Sequence, residues 1–263
     1  HSRSNLDFLV LGNINLFFIS VLGTSGNKQL NESPNALSEF DKVSSNYENQ
    51  LNCGISLSGE DSSFFAKKRV EHMLNISKRI NSAHEYIMDY GCGTGGSIGY
   101  LLDAFNPIKL IAVDVSKDSL SILKSSYKTQ QVIAKSPSSL KPDSSYDLCF
   151  CNGVFHHILP RDRQYTAKII YDSLQSGGYF YFWENNPWNP ATHWVMSRIP
   201  FDRNAVKIFP HQAVKLLQKV GFKVKLIHYL FIFPKFLSFL RPIEKLLRRF
   251  PLGCQYLILV QKI

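Results

Sequence analysis

Residues 87–96 read I-M-D-Y-G-C-G-T-G-G, and no other stretch of the chain is so well equipped for chemistry. A β-prone run delivers a carboxylate, Asp89, to a loop with glycines at 91, 93 and 95. Glycines let the backbone turn sharply there and let a ligand approach it with no Cβ in the way. The N–H groups that open the following helix then face that ligand. Nineteen residues beyond Gly95 stands a second acid, Asp114, closing the strand-like run L-I-A-V-D. That spacing fits a strand–helix–strand unit whose second strand ends in a carboxylate able to grip two ribose hydroxyls.

Gly91, Gly93 and Gly96 also satisfy G-x-G-x-x-G, the dinucleotide fingerprint. Asp89 argues against that reading, because a carboxylate beside a pyrophosphate places two anions in one pocket. It suits a ligand with a cationic end. The pattern D-x-G-x-G-x-G resembles motif I of the class I S-adenosylmethionine-dependent methyltransferases, whose ligand carries an ammonium and a sulfonium. The resemblance implies an α/β fold: a seven-stranded Rossmann-like sheet with helices on both faces, an antiparallel last strand, an N-terminal helical segment and a small acceptor cap. It also implies that S-adenosylmethionine is the cofactor and S-adenosylhomocysteine the product. Asp89 then organises the loop near the methionine ammonium, with Gly91, Cys92, Gly93, Thr94 and Gly95 against the ribose and methionyl portions. Asp114, with Val115 beside it, becomes the ribose acceptor; a cap toward Ser116 is its structural alternative.

Two further stations follow from the same resemblance. Where the family often has an aspartate for the adenine amino group, this chain has Lys135 and Ser136, and the Ser136 hydroxyl is a weaker acceptor. The segment C-N-G-V-F-H-H-I is similar to the one that runs beneath the cofactor sulfur, so Cys151 and Asn152 are expected at the cofactor through backbone groups. His156 or His157 is a candidate general base, since histidine titrates near neutrality. Glu184, in W-E-N-N-P-W-N-P, is the other base candidate, at a strand's carboxyl edge where ligands of open α/β sheets collect. A motif N-P-P-Y, which marks adenine- and glutamine-modifying methyltransferases, is absent after the fourth strand. No metal centre is expected, because the eight histidines lack H-x-x-x-H spacing and no carboxylates gather near them.

Hydrophobic periodicity supplies the elements that must hold these residues. From residue 86 strands and helices alternate, as in a parallel sheet covered on both faces. Strands are expected at 86–89, 109–113, 131–134, 146–151 and 179–183, the last entered through Ser176-Gly177-Gly178, with a late pair at 222–229 and 255–261. Helices are expected from Ser97, from a Ser116 cap, over 161–174 and over 211–220, the last closed by Gly221. Upstream, Ser33-Pro34 opens a helix with Leu37, Phe40, Val43 and Tyr47 at helical spacing. By resemblance that helix closes over the cofactor and brings Tyr47 to it; a core tyrosine is the alternative. Ser58-Gly59-Glu60 either lines the acceptor pocket or merely leads into a helix capped at Asp61-Ser62. The expected organisation is a peripheral or processed segment 1–32, cofactor-covering helices 33–84 and a core 85–263. The core carries a cap insertion 186–210, with Trp188, His193 and Trp194, and a basic amphipathic insertion 234–253.

At 263 residues there is ample core for one large domain. The five cysteines are scattered, which suits a reducing compartment and hence the cytoplasm; Cys149 and Cys151 are expected on opposite faces of their strand. The apolar run at 6–22 is interrupted by Asp7, Asn13 and Asn15, so its unbroken part falls short of a bilayer span of ~20 residues. All of the net charge of +10 sits in residues 201–263, which hold twelve Lys/Arg against Asp202 and Glu244. In the insertion, Ile243, Leu246, Leu247 and Phe250 share one helical face flanked by Lys245, Arg248 and Arg249. Such a piece rests on an anionic bilayer or binds a lipid-linked phosphate, unless its greasy face packs on the core. Nucleic acid is not the expected partner, as no RNA- or DNA-binding module is present. The sequence therefore reads as a methyltransferase of small-molecule or lipid-linked acceptors, O-methylation preferred, cytoplasmic with a peripheral membrane contact as an option. The rival from another class is a catalytically silent methyltransferase-like module that docks on a membrane or protein through its basic end.

Overall fold

The computed structural model describes residues 47–82, 84–199, 202 and 205–263. Segment 1–32, the helix opening at Ser33 and the side chain of Tyr47 lie outside the described residues.

Two helices lead in, α1 (Tyr47–Ile55) and α2 (Ser62–Ile80). Asp61 caps α2 by accepting from the Phe64 N–H at 2.8 Å, as its position before the apolar run dictates. Then follow β1 (Tyr86–Tyr90), α3 (Ile98–Phe105), β2 (Lys109–Val113), α4 (Lys117–Ser126), β3 (Val132–Lys135), β4 (Tyr146–Asn152), α5 (Arg163–Ser173) and β5 (Leu174–Asn185). The chain continues through α6 (Pro190–Arg198), α7 (Pro210–Val220), β6 (Phe222–Leu230), a 3-10 turn (Lys235–Leu240), α8 (Arg241–Leu247) and β7 (Gln255–Lys262).

The seven strands form one sheet in the order β3-β2-β1-β4-β5-β7-β6. The first five are parallel, and β7 runs antiparallel between β5 and β6. This is the Rossmann-like methyltransferase sheet, set apart from the dinucleotide sheet by that reversed strand. Because helices cover both faces, the central strands read as near-continuous apolar runs. Ile87, Leu110, Leu148, Phe150, Trp183 and Leu257 pack under α2 and α3 on one side; Met88, Ile111, Cys149, Phe182 and Ile258 pack under α5 and α7 on the other. Trp183 and Phe150 are among the largest fully buried side chains, and cutting either to alanine would cost roughly 3–5 kcal/mol.

Two expectations are corrected. Cys149 and Cys151 share one face of β4 and one core cluster, because the side-chain period along a strand is two residues; both thiols are free. Ser176-Gly177-Gly178 lies within β5 rather than before it. The strand pairs with β4 from Leu174, slips register between Tyr146 and Leu148, and needs Gly178 where a Cβ would meet the Gln175 carbonyl at 2.9 Å.

The direction of strand order reverses between β1 and β4. In open α/β sheets, ligands bind in the crevice beyond the carboxyl ends at that switch point. The loops that follow β1 and β4, which carry Gly91–Gly96 and Gly153–His157, meet there.

Candidate active site

The glycine loop is folded by its own backbone. Gly91 and Cys92 donate N–H bonds to the Val113 carbonyl at 2.7 and 3.0 Å, and Gly95 donates to Cys92 at 3.0 Å. Gly91, Gly93 and Gly95 take φ of +83°, +52° and +94°, a region that disfavours any side chain. At Gly91 a Cβ would also lie 2.1 Å from Val154 Cγ2, so the loops after β1 and β4 touch through this glycine. Around Gly93 and Gly96 a Cβ would meet nothing within 4 Å, which leaves the backbone open to a ligand.

Asp114 fastens the loop to β2. One carboxylate oxygen accepts the Gly93 N–H at 2.8 Å and the other accepts the Ser116 N–H at 2.9 Å. Ser116 itself caps α4 through the Ser119 N–H at 3.1 Å. Of the two sequence readings of Asp114, the one toward Ser116 has its hydrogen bond here.

A cavity of about 1260 Å³ opens from this loop. Asp89, Gly91, Cys92, Gly93, Thr94, Gly95 and Asn152 line it. Asp114, Val115, Ser136 and Cys151 do not. Cys151 is buried in the opposite core, and Ser136 Oγ is engaged with Ser138 and Ser139 at 3.0 and 3.1 Å, so neither side chain is turned toward the cavity. Beyond the cofactor loop the walls come from Ser58 and Glu60 and from α6, which contributes Thr192, Trp194 and Met196. α1 packs against α6 where Gly54 approaches Ile199. Trp188 and His193 stand outside that wall: Trp188 sits near Phe209, His211 and Tyr229, and His193 is bonded to the Pro187 carbonyl and Lys207.

Asp89 carries the most telling electrostatics. It is 2% exposed, and its Oδ2 has no hydrogen-bond partner. Burial, reinforced by the Asp114 charge and opposed by Arg69, pushes its carboxyl up to about 8. Asn152 Oδ1 is likewise buried with no hydrogen-bond partner. Two orphaned acceptors on one cavity wall call for a ligand that brings hydrogen-bond donors, and for Asp89 a positive charge.

A second cluster lies after β4. His156 Nδ1 is 2.6 Å from Glu184 Oε2, and its Nε2 is 3.4 Å from Asp202 Oδ1. Glu184 Oε1 accepts the backbone N–H groups of Phe155 and His156 at 2.7 and 3.3 Å. His157 Nε2 is 3.3 Å from the same Asp202 oxygen. Burial, the largest influence on His156, works against its charge, but Glu184 and then Asp202 outweigh it and hold the imidazole up to about 10. His157 is pushed down, by burial first and then by the His156 charge. Asp202 would be raised by burial, but the two histidines take it down to about 2.

This geometry corrects three expectations. Glu184 is 1% exposed with both oxygens occupied, so it positions His156 and is not a base for an acceptor. His156 is an imidazolium at neutral pH and has no lone pair to take a proton. Carboxylates do gather at the histidines: Glu184 and Asp202 both approach His156, and no spacing in the sequence announces the contact with Asp202. His156, His157 and Asp202 hold ligand atoms within 4.8 Å of one another, near enough to share a divalent ion. The hydrogen-bond pattern, however, is that of an imidazolium held between two carboxylates.

The comparisons with known proteins bear on the crevice as a whole. Residues 87–178 match a family model described as a methyltransferase domain. That stretch runs from β1 and the glycine loop through β4 to the start of β5. Its fold is similar to an S-adenosylmethionine-dependent methyltransferase of Thermotoga maritima, at 18% identity and TM-score 0.61, over 86% of this chain and 99% of that one. It is also similar to a Haloferax volcanii complex with the Trm112 methyltransferase activator, at 16% identity and TM-score 0.59, over 85% and 97% of the two chains. A third likeness is to geranyl diphosphate methyltransferase in complex with S-adenosylmethionine, at 16% identity and TM-score 0.57, over 75% and 85%. S-adenosylmethionine fits this crevice on chemistry, because its ammonium would answer the orphaned Asp89 carboxylate and the open face at Gly93 leaves room for its body.

Proposed function

We propose that this methyltransferase acts on a hydroxyl of a small-molecule or lipid-linked acceptor. In that reading Asp89 takes the methionine ammonium, Gly91–Gly95 lie along the methionyl and ribose portions, and Asp114, which ties Gly93 to the end of β2, accepts the ribose diol. The cofactor supplies a methyl group on a sulfonium, an intrinsically reactive electrophile. The chain's own task is then to hold the acceptor in line, exclude water and remove one proton.

His157 is the residue for that proton. It lines the cavity and is neutral at pH 7. Asp202, with Oδ1 3.3 Å from His157 Nε2, orients the ring as the third member of a triad does. His156 and Glu184 set the charge and orientation of that pair. The observation that carries the reading is the orphaned Asp89 carboxylate on a cavity larger than the ~300–1,000 Å³ usual for a single ligand. Such a volume admits the cofactor and an acceptor together.

A peripheral membrane contact has an observation of its own. Neither the 3-10 turn nor α8 buries a residue, and Phe236, Phe239 and Leu246 are 74%, 73% and 77% exposed among basic neighbours. No helix of the described residues is long and apolar enough to cross a membrane. The five free thiols suit the cytoplasm. Calorimetry with S-adenosylmethionine and S-adenosylhomocysteine tests the core of the proposal: both should bind, and Asp114→Ala should lose roughly ten-fold or more in affinity. Failure of the wild-type chain to bind either ligand would sink it.

A further inference from the structure

One part of the cavity wall gathers cations. On α2, His72, Asn75, Ile76 and Arg79 fall on one helical face, and all four line the cavity. Arg248 lines it from the opposite side, with Arg249 next in sequence. The Arg248 carbonyl accepts the Tyr229 N–H at 2.7 Å, which pins the two arginines beside β6. His228 on β6 meets His72 there, Nδ1 to Nε2, at 3.0 Å.

Three of the carboxylates that line the cavity already have partners. Glu60 pairs with Arg241 at 2.9 Å, Glu71 pairs with Lys68 at 2.7 Å, and Glu244 accepts the backbone N–H groups of Ile232 and Phe233 at 3.2 and 2.9 Å. Among the described residues no ion pair joins Arg79, Arg248 or Arg249 to an acid. The three guanidiniums feel one another instead, since Arg79 and Arg249 both push Arg248 down after burial has done so. Burial and the arginines together keep both histidines neutral. A neutral pair joined by one N–H···N bond retains one further ring N–H, whichever tautomer it adopts. Like charges held together oppose folding unless something of opposite sign is meant to sit among them.

We propose that His72, Arg79, His228, Arg248 and Arg249 form a subsite for a phosphoryl group on the acceptor, a phosphate monoester or a diphosphate. This deepens the reading of the cavity as a methyltransferase site and rests on it. Guanidinium groups present planar forks that match phosphate oxygens, and the spare imidazole N–H adds a neutral donor. An acceptor anchored there by its anion would extend along the cavity toward the glycine loop and His157.

The experiment titrates the full chain, with S-adenosylmethionine present, with inorganic pyrophosphate in one arm. The second arm uses phosphatidylcholine vesicles with or without phosphatidic acid. Arg79→Gln and Arg248→Gln are run beside wild type, with Lys117→Gln as a control on a distant helix. Pyrophosphate binding that weakens at least tenfold in either arginine variant, but not in the control, supports a soluble phosphorylated acceptor. Retention only on phosphatidic-acid vesicles, lost in the same variants, supports a phosphate carried by a lipid. If neither probe is held, or if the arginine variants hold it as well as wild type, the subsite is overturned. S-adenosylmethionine affinity, read in the same titrations, separates the failures. Intact cofactor binding without phosphate binding removes the subsite alone, whereas no cofactor binding removes the function beneath it.

Discussion

Replacing Asp89 with asparagine should make the protein more stable and leave it poorly able to bind its cofactor. The folded-state carboxyl is raised to about 8 from its ordinary value of 3.8. A raised carboxyl contributes nothing unfavourable below pH 3.8; the penalty grows as pH rises from there and levels off above 8. At pH 7 the folded state must hold a proton that the unfolded chain would release, which costs about 1.4 kcal/mol per pH unit over roughly three units, or about 4 kcal/mol. Asparagine removes that cost but keeps a buried amide with an unsatisfied group, worth about 1–3 kcal/mol. The net gain of about 1–3 kcal/mol should raise Tm by several degrees at pH 7 and turn into a loss at pH 4, where the cost removed is under ~1 kcal/mol. A cationic ligand must, in turn, ionise the wild-type carboxyl. Calorimetry at pH 7 in buffers of different ionisation enthalpy should therefore register release of about 0.9 proton per cofactor bound. Asp89→Asn should bind ten-fold or more weakly with no linked proton. Wild-type binding without proton release, together with an asparagine variant of unchanged affinity, would refute the assignment of Asp89 to the cofactor's charge.

Wild-type stability should fall as pH climbs from 6.5 toward 10, because His156 is held up to about 10 and its stabilisation is complete only below the unfolded value. Denaturant titrations at pH 6, 8 and 10 measure that slope, and Glu184→Gln, which keeps the Phe155 contact but not the charge, should flatten it. Acid should act separately on Asp202, whose contribution is present above pH 3.8 and lost as pH falls toward 2. Once an acceptor is in hand, His157→Gln should lower kcat with little change in S-adenosylmethionine affinity and should remove the acid limb of the pH–rate profile. Gly91→Ala should abolish cofactor binding and destabilise by several kcal/mol, since its Cβ would lie 2.1 Å from Val154 at a φ of +83°. Adding Val154→Ala should recover only the steric part, read as a partial return of Tm. Phe236→Ser with Phe239→Ser and Leu246→Ser should no longer pellet with anionic vesicles; equal pelleting would remove the membrane contact.

What could be read from the chain depended on whether the signal was local. The Asp61 cap, the Ser116 cap and the Gly221 stop are written in residues a few positions apart, and each sits where its spacing requires. The reversed position of the last strand came from family resemblance, since periodicity alone gives two late strands without their order. The polar clusters were hidden for a different reason. His72 and His228 are 156 residues apart, and Asp202 lies 46 residues from His156, so only tertiary folding brings them together. Glu184 looked like a base because a strand's carboxyl edge faces ligands; the two N–H groups of the loop after β4 claimed it first. In the basic insertion the sequence left two readings of the greasy face open, and its exposure turned on whether the sheet had any uncovered surface left.

The place of β7 bears on how the protein is made. Residues 255–262 follow every other described element, yet they fill the gap between β5 and β6. Until that ribbon has left the ribosome, β6 has no neighbour to pair with, and the edge of β5 stands exposed to any passing strand. The half that holds the glycine loop, β1 through β4, is complete long before. A nascent chain is thus able to gather its cofactor cradle early while its other flank waits for the final ribbon, which is when helper proteins would matter most.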